Sequence, residues 1–334
     1  MTTTRRKIVV ALGLGALSCG SPFALAEPPP GKVLRIGMLD NLRDKFEPEV
    51  VPLHGALLEG LRSKGFELGR NVTLEYRSAR GQPDKFPELA ADLVRLKVDA
   101  IVAIVNQGML AAREATRTIP IIMIGGTDPV ATGLIASLAR PGGNVTGLAV
   151  NATEISAKRM QLLKEAVPKL QTVAVLWNSS FKSMEMQFHQ VETAAPSLGV
   201  KVLSLRLSSA DNFDQAFAAI RKARPEGMIV LFGPLRGNDL PRIVEFVTAN
   251  AIPTVFEIDQ GVRGGGLMEF GPDRVKMARQ AGAYIDKIAN GANPANLPVE
   301  EPTTFELVIN LKAARAMGLS IPPALMLRAD RVIE

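Results

Sequence analysis

Short runs rich in Val and Ile alternate along this chain with longer segments of helical periodicity. In the first half the runs lie at 33–39, 72–76, 100–105, 119–124 and 145–150. In the second half they lie at 172–177, 200–205, 227–232 and 252–256. Short runs that are apolar on both faces are typical of buried parallel strands, and helical segments between them indicate βαβ units. The order of elements therefore predicts an α/β protein with mainly parallel sheets.

The segments between these runs carry apolar residues at helical spacing, so each can bury one face against a sheet. The predicted helices lie at 55–64, 86–96, 184–198, 212–222, 240–250 and 273–290, and a last strand lies at 305–310. A chain of 334 residues exceeds what one core usually organises. We therefore predict two Rossmann-like lobes joined by a hinge, with 33–150 and about 260–334 in lobe 1 and 151–259 in lobe 2.

The first 26 residues have the pattern of an export signal. Basic residues at 5–7 precede the apolar run 8–17, and small residues at 24–26 form a cleavage site. The apolar run is far shorter than the roughly 20 residues that span a bilayer as a helix. We expect residues 1–26 to be a signal peptide and the protein to be periplasmic. The adjacent Arg5 and Arg6 leave both the general secretory route and the twin-arginine route open.

The cysteine count and the net charge exclude further classes of function. Cys19 is the only cysteine, so cleavage after Ala26 would leave a chain without disulfides or thiol chemistry. Leu17 stands one position too close to Cys19 for the usual lipidation pattern. Three of the basic residues behind the formal charge of +6 lie in the signal, so part of the positive charge is removed with it. We therefore predict no nucleic-acid partner.

No catalytic constellation stands out in the sequence. It has no Gly-x-Ser-x-Gly elbow, no Walker loop, no dinucleotide-type glycine motif after a strand and no His/Cys cluster. The only histidines, His54 and His189, lie on predicted helices, where packing or surface roles are expected. The sequence therefore predicts no enzyme activity, no cofactor and no metal.

Polar residues follow the predicted strands. Ligands of parallel α/β sheets bind beyond the carboxyl ends of the strands, and amides, hydroxyls and carboxylates suit a small polar or zwitterionic ligand. The predicted ligand-binding residues are Asp40, Asn41, Asn106, Gln107, Thr127, Asp128, Asn178, Ser179, Phe232 and Glu257. Several of them are equally good helix N-caps. Trp177, the only tryptophan, either stacks on a ligand or packs in the core.

Several long motifs appear in a fixed order. They are TDPVATGL at 127–134, LARPGGNVTG at 138–147, GGLM at 265–268, FELVIN at 305–310, AMGLSIPP at 316–323 and RAD at 328–330. Together they resemble a family of ABC transporter substrate-binding proteins over nearly the whole chain after the signal.

This resemblance implies the type I periplasmic-binding fold, with three crossings between lobes, a ligand in a hinged cleft and no enzymatic activity. We expect hinge crossings near Val150 and near Glu257. The implied partners are a small-molecule ligand and the membrane permease of an importer with its ATPase, and the implied state is a monomer. The turn VNQG at 105–108 and the segment DNLR at 40–43 depart from the family pattern, so a ligand is not transferred from relatives.

Three other functions remain open at this point. The same lobes serve in a receptor that reports a ligand to a signalling partner. An enzyme on a related scaffold would use Asp40 and Asp128, and turnover of the ligand would identify it. A transcriptional effector domain also shares the fold, but the export signal and the absence of a predicted DNA-binding helical pair argue against it.

Overall fold

The structure, a computed structural model, describes residues 33–41, 45–49, 51–207, 213–231 and 239–334. The predicted signal peptide at 1–26 and Phe232 lie outside these ranges. The first half contains β1 (Leu34–Asp40), α1 (Pro52–Arg62), β2 (Val72–Ser78), α2 (Phe86–Arg95), β3 (Ala100–Ala103), α3 (Asn106–Ala115), β4 (Ile121–Thr127) and β5 (Val145–Val150).

The rest of the chain continues the alternation of helices and strands. It contains α4 (Ala152–Ala166), β6 (Thr172–Asn178), α5 (Lys182–Ala194), β7 (Lys201–Leu207), α6 (Phe213–Ala223), β8 (Gly227–Val230), α7 (Asp239–Ala249), β9 (Thr254–Phe256), α8 (Asp259–Arg263), β10 (Met268–Pro272), α9 (Arg274–Ala289), β11 (Phe305–Asn310), α10 (Leu311–Ala316), α11 (Pro323–Met326) and β12 (Arg331–Ile333).

These strands form two sheets. The first has the order β2-β1-β3-β4-β5, and all its pairs are parallel. The second has the order β12-β11-β10-β9-β8-β6-β7, and among its pairs only β10 with β11 is antiparallel. The prediction of an α/β fold with two parallel-sheet lobes is confirmed.

The central strands are buried on both faces because helices cover both sides of each sheet. Every residue of β3 and of β8 is buried. Two apolar clusters line the faces of the first sheet, and two others line the second. Trp177 belongs to the core of the second lobe: its ring stacks on Phe188 at 4.6 Å, and its Nε1 donates to Ser204 Oγ at 2.9 Å.

The tail of the chain divides between the lobes, which corrects the expected lobe boundary. The strands β10, β11 and β12 extend the second sheet rather than returning to the first. Only α9 and the segment after it join the first lobe, where α9 packs on α1, β4 and β5. The expected boundary failed because the antiparallel pair of β10 and β11 brackets α9, so the chain leaves the second sheet and returns to it.

The close contact between α1 and α9 depends on two glycines. A Cβ atom added to Gly60 would lie 2.0 Å from the carbonyl oxygen of Arg279, and one added to Gly282 would lie 2.3 Å from the carbonyl carbon of Gly60. The two backbones therefore approach more closely than any side chain at either position would allow. This contact holds α9 on the first lobe.

The chain passes between the lobes at three places. The first crossing joins β5 to α4 just after Val150, as expected. The second joins β10 to α9, and the third follows Glu300, whose backbone pairs beside β5, and leads into β11. The crossing expected near Glu257 is wrong, because the elements on both sides of that residue belong to the second lobe. Among the described residues, no helix combines the length and apolar character needed to cross a membrane.

Candidate functional site

A cleft lies between the two lobes at the carboxyl ends of β3 and β4. The first lobe contributes Ile104, Val105, Asn106, Gln107, Gly125, Thr127 and Arg274, and the start of α5 in the second lobe contributes Phe181, Ser183 and Met184. The cleft therefore combines apolar walls with two amides, two hydroxyls and one guanidinium. Three of the ten residues expected at a ligand site, Asn106, Gln107 and Thr127, lie together in it.

The Asn106 side chain holds the end of β4. Its Nδ2 donates to the carbonyl oxygen of Thr127 at 2.8 Å, and its Oδ1 accepts from the Thr127 backbone N–H at 2.8 Å. This reciprocal pair fixes Thr127 in the cleft and occupies the Asn106 amide. Gln107 is half-buried, and its side chain forms no hydrogen bond within the described part of the chain. Gln107 is thus the amide that remains available to a ligand.

Two helices begin at the cleft, one from each lobe. Val105 is the N-cap of α3 and Phe181 is the N-cap of α5, and neither side chain caps its helix. Backbone N–H groups in the first turn of a helix lack partners within that helix, and the helix dipole places partial positive charge there. The two helix starts therefore favour a group with hydrogen-bond acceptors between them.

Arg274 lines the cleft but was not among the polar residues selected directly after the predicted strands. It is the first residue of α9, directly after the N-cap Asp273. Its Nε is buried and has no hydrogen-bond partner in the described part of the structure. The signal that could have found it is its position two residues after β10, which ends at Pro272.

Asn178 and Ser179 stabilise the turn that precedes α5. The Asn178 Oδ1 accepts from the backbone N–H of Ser180 at 2.9 Å, and Ser179 Oγ donates to the carbonyl oxygen of Leu207 at 3.2 Å. Both side chains are thus engaged by backbone groups, and neither lines the cleft. The N-cap alternative is not met either, because Phe181 is the N-cap of α5; the two side chains hold the turn before that helix.

Asp128 lies where the chain leaves the first lobe. Its backbone is left-handed, with φ of 44°, and its N–H donates to the carbonyl oxygen of Val150. Its Oδ2 accepts from Thr153 Oγ1 at 2.7 Å. Burial raises the pKa of the Asp128 carboxyl to about 6, while the hydrogen bond from Thr153 lowers it. Asp128 therefore joins β4 to the first crossing and does not line the cleft.

Glu257 is committed to a buried ion pair. Its Oε1 accepts from Arg159 Nη1 at 2.7 Å, and Arg159 Nε donates to the carbonyl oxygen of Phe270 at 2.8 Å. Arg159 is 1% exposed and Glu257 is 5% exposed. This pair joins α4 to the segment after β9 and to β10, so it stabilises the second lobe close to two crossings.

A further carboxyl near this pair has a shifted pKa. Burial raises the pKa of Glu269 to about 7, Asp259 adds to the rise, and the cations Arg274, Arg331 and Arg159 oppose it. The unfolded chain releases this proton near the ordinary pKa of 4.5. Because the native state binds more protons between these values, the Glu269 contribution to the free energy of unfolding falls as the pH rises from 4.5 to 7.

Asp40 lies beneath the surface of the first lobe and not on the cleft wall. Its side chain is fully buried, accepts from Tyr76 OH at 2.8 Å and contacts His54 Nε2 at 3.0 Å. The His54 Nδ1 accepts from the Glu47 backbone N–H at 3.1 Å, so its Nε2 carries the proton donated to Asp40. The ring of Phe46 stacks on His54 at 4.5 Å. This arrangement ties the segment before α1 to the end of β1.

Asn41 is likewise engaged, because its Oδ1 accepts from the backbone N–H of Gly81 at 2.8 Å. The sequence predicted both residues correctly as the end of a strand. It did not distinguish a side chain that faces a cleft from one that holds neighbouring loops.

Two parallel-sheet lobes with a cleft at the carboxyl ends of their strands define the fold of type I periplasmic binding proteins. Residues 49–333 match the family model described as ABC transporter substrate binding protein. The chain belongs to this family, as its motifs indicated.

Individual relatives agree with this assignment. A tyrosine-binding protein from Clostridioides difficile strain R20291 is 28% identical over 262 residues, which cover 78% of this chain and 75% of the relative. An ABC domain from Streptococcus pneumonia, solved in complex with L-Trp, has a TM-score of 0.82 at 24% identity, covering 90% of this chain and 99% of that one. A conserved domain protein from Vibrio cholerae has a TM-score of 0.82 at 26% identity, covering 90% and 100%.

Proposed function

We propose that this protein binds an α-amino acid with an apolar or aromatic side chain and delivers it to the permease of an ABC importer, catalysing no reaction. The observation that carries the proposal is the composition of the cleft. Ile104, Phe181 and Met184 form apolar walls, and Gln107 and Thr127 place polar groups beside two helix starts. A ligand with one apolar end and one strongly polar end matches this division.

The relatives support the amino-acid class. One is a tyrosine-binding protein, and another was solved with L-Trp. The proposal places the protein outside the cytoplasm after removal of residues 1–26, acting as a monomer whose lobes close on the ligand. The proposed ligand contacts are Gln107, Thr127 and the helix starts. Asn106 acts through Thr127, which it holds in place.

Thermal unfolding of the purified protein tests this function. The protein should be heated with L-tyrosine, L-tryptophan, L-phenylalanine, L-leucine, D-ribose or benzoate. A ligand at about 100 times its Kd stabilises the native state by about 2.7 kcal/mol, which raises Tm by roughly 5–10 °C. Trp177 is buried in the core of the second lobe, so its fluorescence follows unfolding directly.

A cleft variant and a surface variant make the test specific. Gln107→Leu keeps the size of the side chain but removes its amide, so it should lower the Tm shift given by the best amino acid. Gln260→Leu makes the same change at an exposed position outside the cleft and should leave that shift intact. Stabilisation by ribose alone, or chemical conversion of the amino acid during incubation, would contradict the proposal.

A further inference from the structure

Arg274 is the only guanidinium that lines the cleft in the described part of the structure. Thr127 of the first lobe and Met184 of the second line the same cleft. No hydrogen bond or ion pair joins the Arg274 side chain to another described residue, and its Nε is buried. A guanidinium has five N–H donors, and withdrawing them from water without acceptors is unfavourable.

Neighbouring arginines differ from Arg274 in this respect. Arg159 donates to Glu257 and to the carbonyl oxygen of Phe270. Arg331 forms an ion pair with Asp259. Both thus have a carboxylate partner, although the Nε of Arg331 is buried without a hydrogen-bond acceptor, as is the Nε of Arg274. Arg274 lines the cleft and has no carboxylate in hydrogen-bond or ion-pair contact within the described part of the structure.

Arg274 also lies where its helix begins, directly after the N-cap Asp273 and within electrostatic reach of Glu269. It is the first residue of the 16-residue helix α9, where the helix dipole places partial positive charge. A cation at this end is repelled by the dipole, whereas an anion bound there is attracted by both. The helix start and the guanidinium therefore favour the same kind of ligand group.

Gly125 lies beside the guanidinium of Arg274. This residue lies at an irregularity of β4, between Ile124 and Gly126, and has φ of 75°. A Cβ atom at this position would lie 3.5 Å from Arg274 Nη1. Bulges often shape strands beside binding sites. Here the bulge supplies a backbone surface without a side chain beside the Arg274 donors.

From these observations we infer that Arg274 binds the carboxylate of the ligand and makes the site specific for carboxylate-bearing compounds. The planar guanidinium pairs with a carboxylate through two parallel hydrogen bonds, which an ammonium group does not reproduce. This inference rests on the proposed function and specifies the ligand group that the cleft selects. The apolar walls then receive the side chain of the amino acid.

Paired ligands measure this selectivity directly. Isothermal titration of the purified protein should compare L-tyrosine with tyramine, and L-tryptophan with tryptamine, because each amine lacks only the carboxylate. Hydrogen bonds to charged groups predict that the amino acid binds roughly 10- to 150-fold more tightly than its amine. In Arg274→Gln this ratio should fall to near one, through weaker binding of the amino acid alone.

Two further variants separate recognition from general charge and folding effects. Arg274→Lys keeps the charge but loses the planar fork, so it should retain part of the selectivity. Lys276→Gln removes a positive charge two residues along the same helix, at an exposed position, and should retain all of it. Tm values without ligand establish that each variant is folded.

The outcomes distinguish the inference from the function on which it rests. Equal affinity of the wild type and Arg274→Gln for L-tyrosine or L-tryptophan overturns the inference and leaves the proposed function standing. Equal weakening of amino acid and amine also overturns it, because Arg274 would then have a structural role. Failure of the wild type to bind any amino acid overturns the proposed function and the inference together.

Discussion

Replacing Arg159 tests how much the second lobe depends on its buried ion pair. The side chain is almost fully buried and makes two hydrogen bonds at 2.7 and 2.8 Å, to Glu257 Oε1 and to the carbonyl oxygen of Phe270. Arg159→Met fills much of the same space with an unbranched, adaptable side chain that donates no hydrogen bond. The variant therefore removes the ion pair with little change in packing.

The expected loss follows from the burial of the remaining carboxylate. Removing one partner of a buried ion pair costs about 3–5 kcal/mol. For a protein of this size about 4 kcal/mol corresponds to roughly 8–16 °C in Tm. Urea unfolding and thermal unfolding measure this loss.

Two controls identify the source of the loss. Arg328→Met removes the exposed pair with Glu165 and should cost less than about 1 kcal/mol. The double variant Arg159→Met with Glu257→Leu removes both charges and should recover most of the stability, because apolar groups can replace a buried pair. The reasoning is refuted if Arg159→Met lies within about 1 kcal/mol of the wild type, or if the double variant is no more stable than the single one.

Three other predictions concern the Glu269 carboxyl, the contact between α1 and α9, and the cleft wall. Glu269→Gln, which mimics the protonated acid, should stabilise the protein by up to about 3 kcal/mol at pH 8 and by much less at pH 5, as measured by urea unfolding; a gain independent of pH would contradict the pKa assignment. Gly60→Ala should cost at least about 2 kcal/mol, because its methyl group would meet the carbonyl oxygen of Arg279, whereas Gly143→Ala enters open space and should be neutral in thermal unfolding. Asn106→Ala should lower the free energy of unfolding by about 2 kcal/mol, because both hydrogen bonds at the end of β4 disappear. It should also weaken amino-acid binding in calorimetry. Unchanged affinity would show that this strand end does not depend on the amide.

The strands could be predicted because a buried parallel strand leaves a strong local pattern. The run at 145–150 and the run at 305–310 coincide with β5 and β11, and neither needs information from distant residues. The helices were equally visible through their apolar spacing. The exact helix ends depend on caps and proline positions, so the observed ends differ from the predicted ones by a few residues.

Strand partners could not be predicted, because pairing depends on residues far apart in the chain. The sequence pattern of β11 is the same whether it pairs with the first sheet or the second. β11 joins the second sheet because it pairs antiparallel with β10, with Met268 opposite Ile309. The whole of α9 lies between these two residues in the chain. No local signal records such a pairing.

The site was predictable only in part for a similar reason. A polar residue after a strand faces either the cleft or a neighbouring loop, and distant partners decide which. The Asp40 carboxylate accepts a hydrogen bond from Tyr76, 36 residues away, whereas Gln107 lines the cleft. Arg274 resembles any solvated arginine on a helix until the bulge at Gly125 is placed beside it.

The place of α9 in the chain has a consequence for synthesis. The strands of the first sheet are complete at Val150, but the helix that seals one of its faces through Met277, Ala281 and Ile285 lies more than a hundred residues later. At roughly 5–20 residues per second, the ribosome needs several seconds to produce that helix. During this interval the nascent chain carries an unsealed apolar face, so a chaperone that shields it until α9 arrives should raise the yield of native protein.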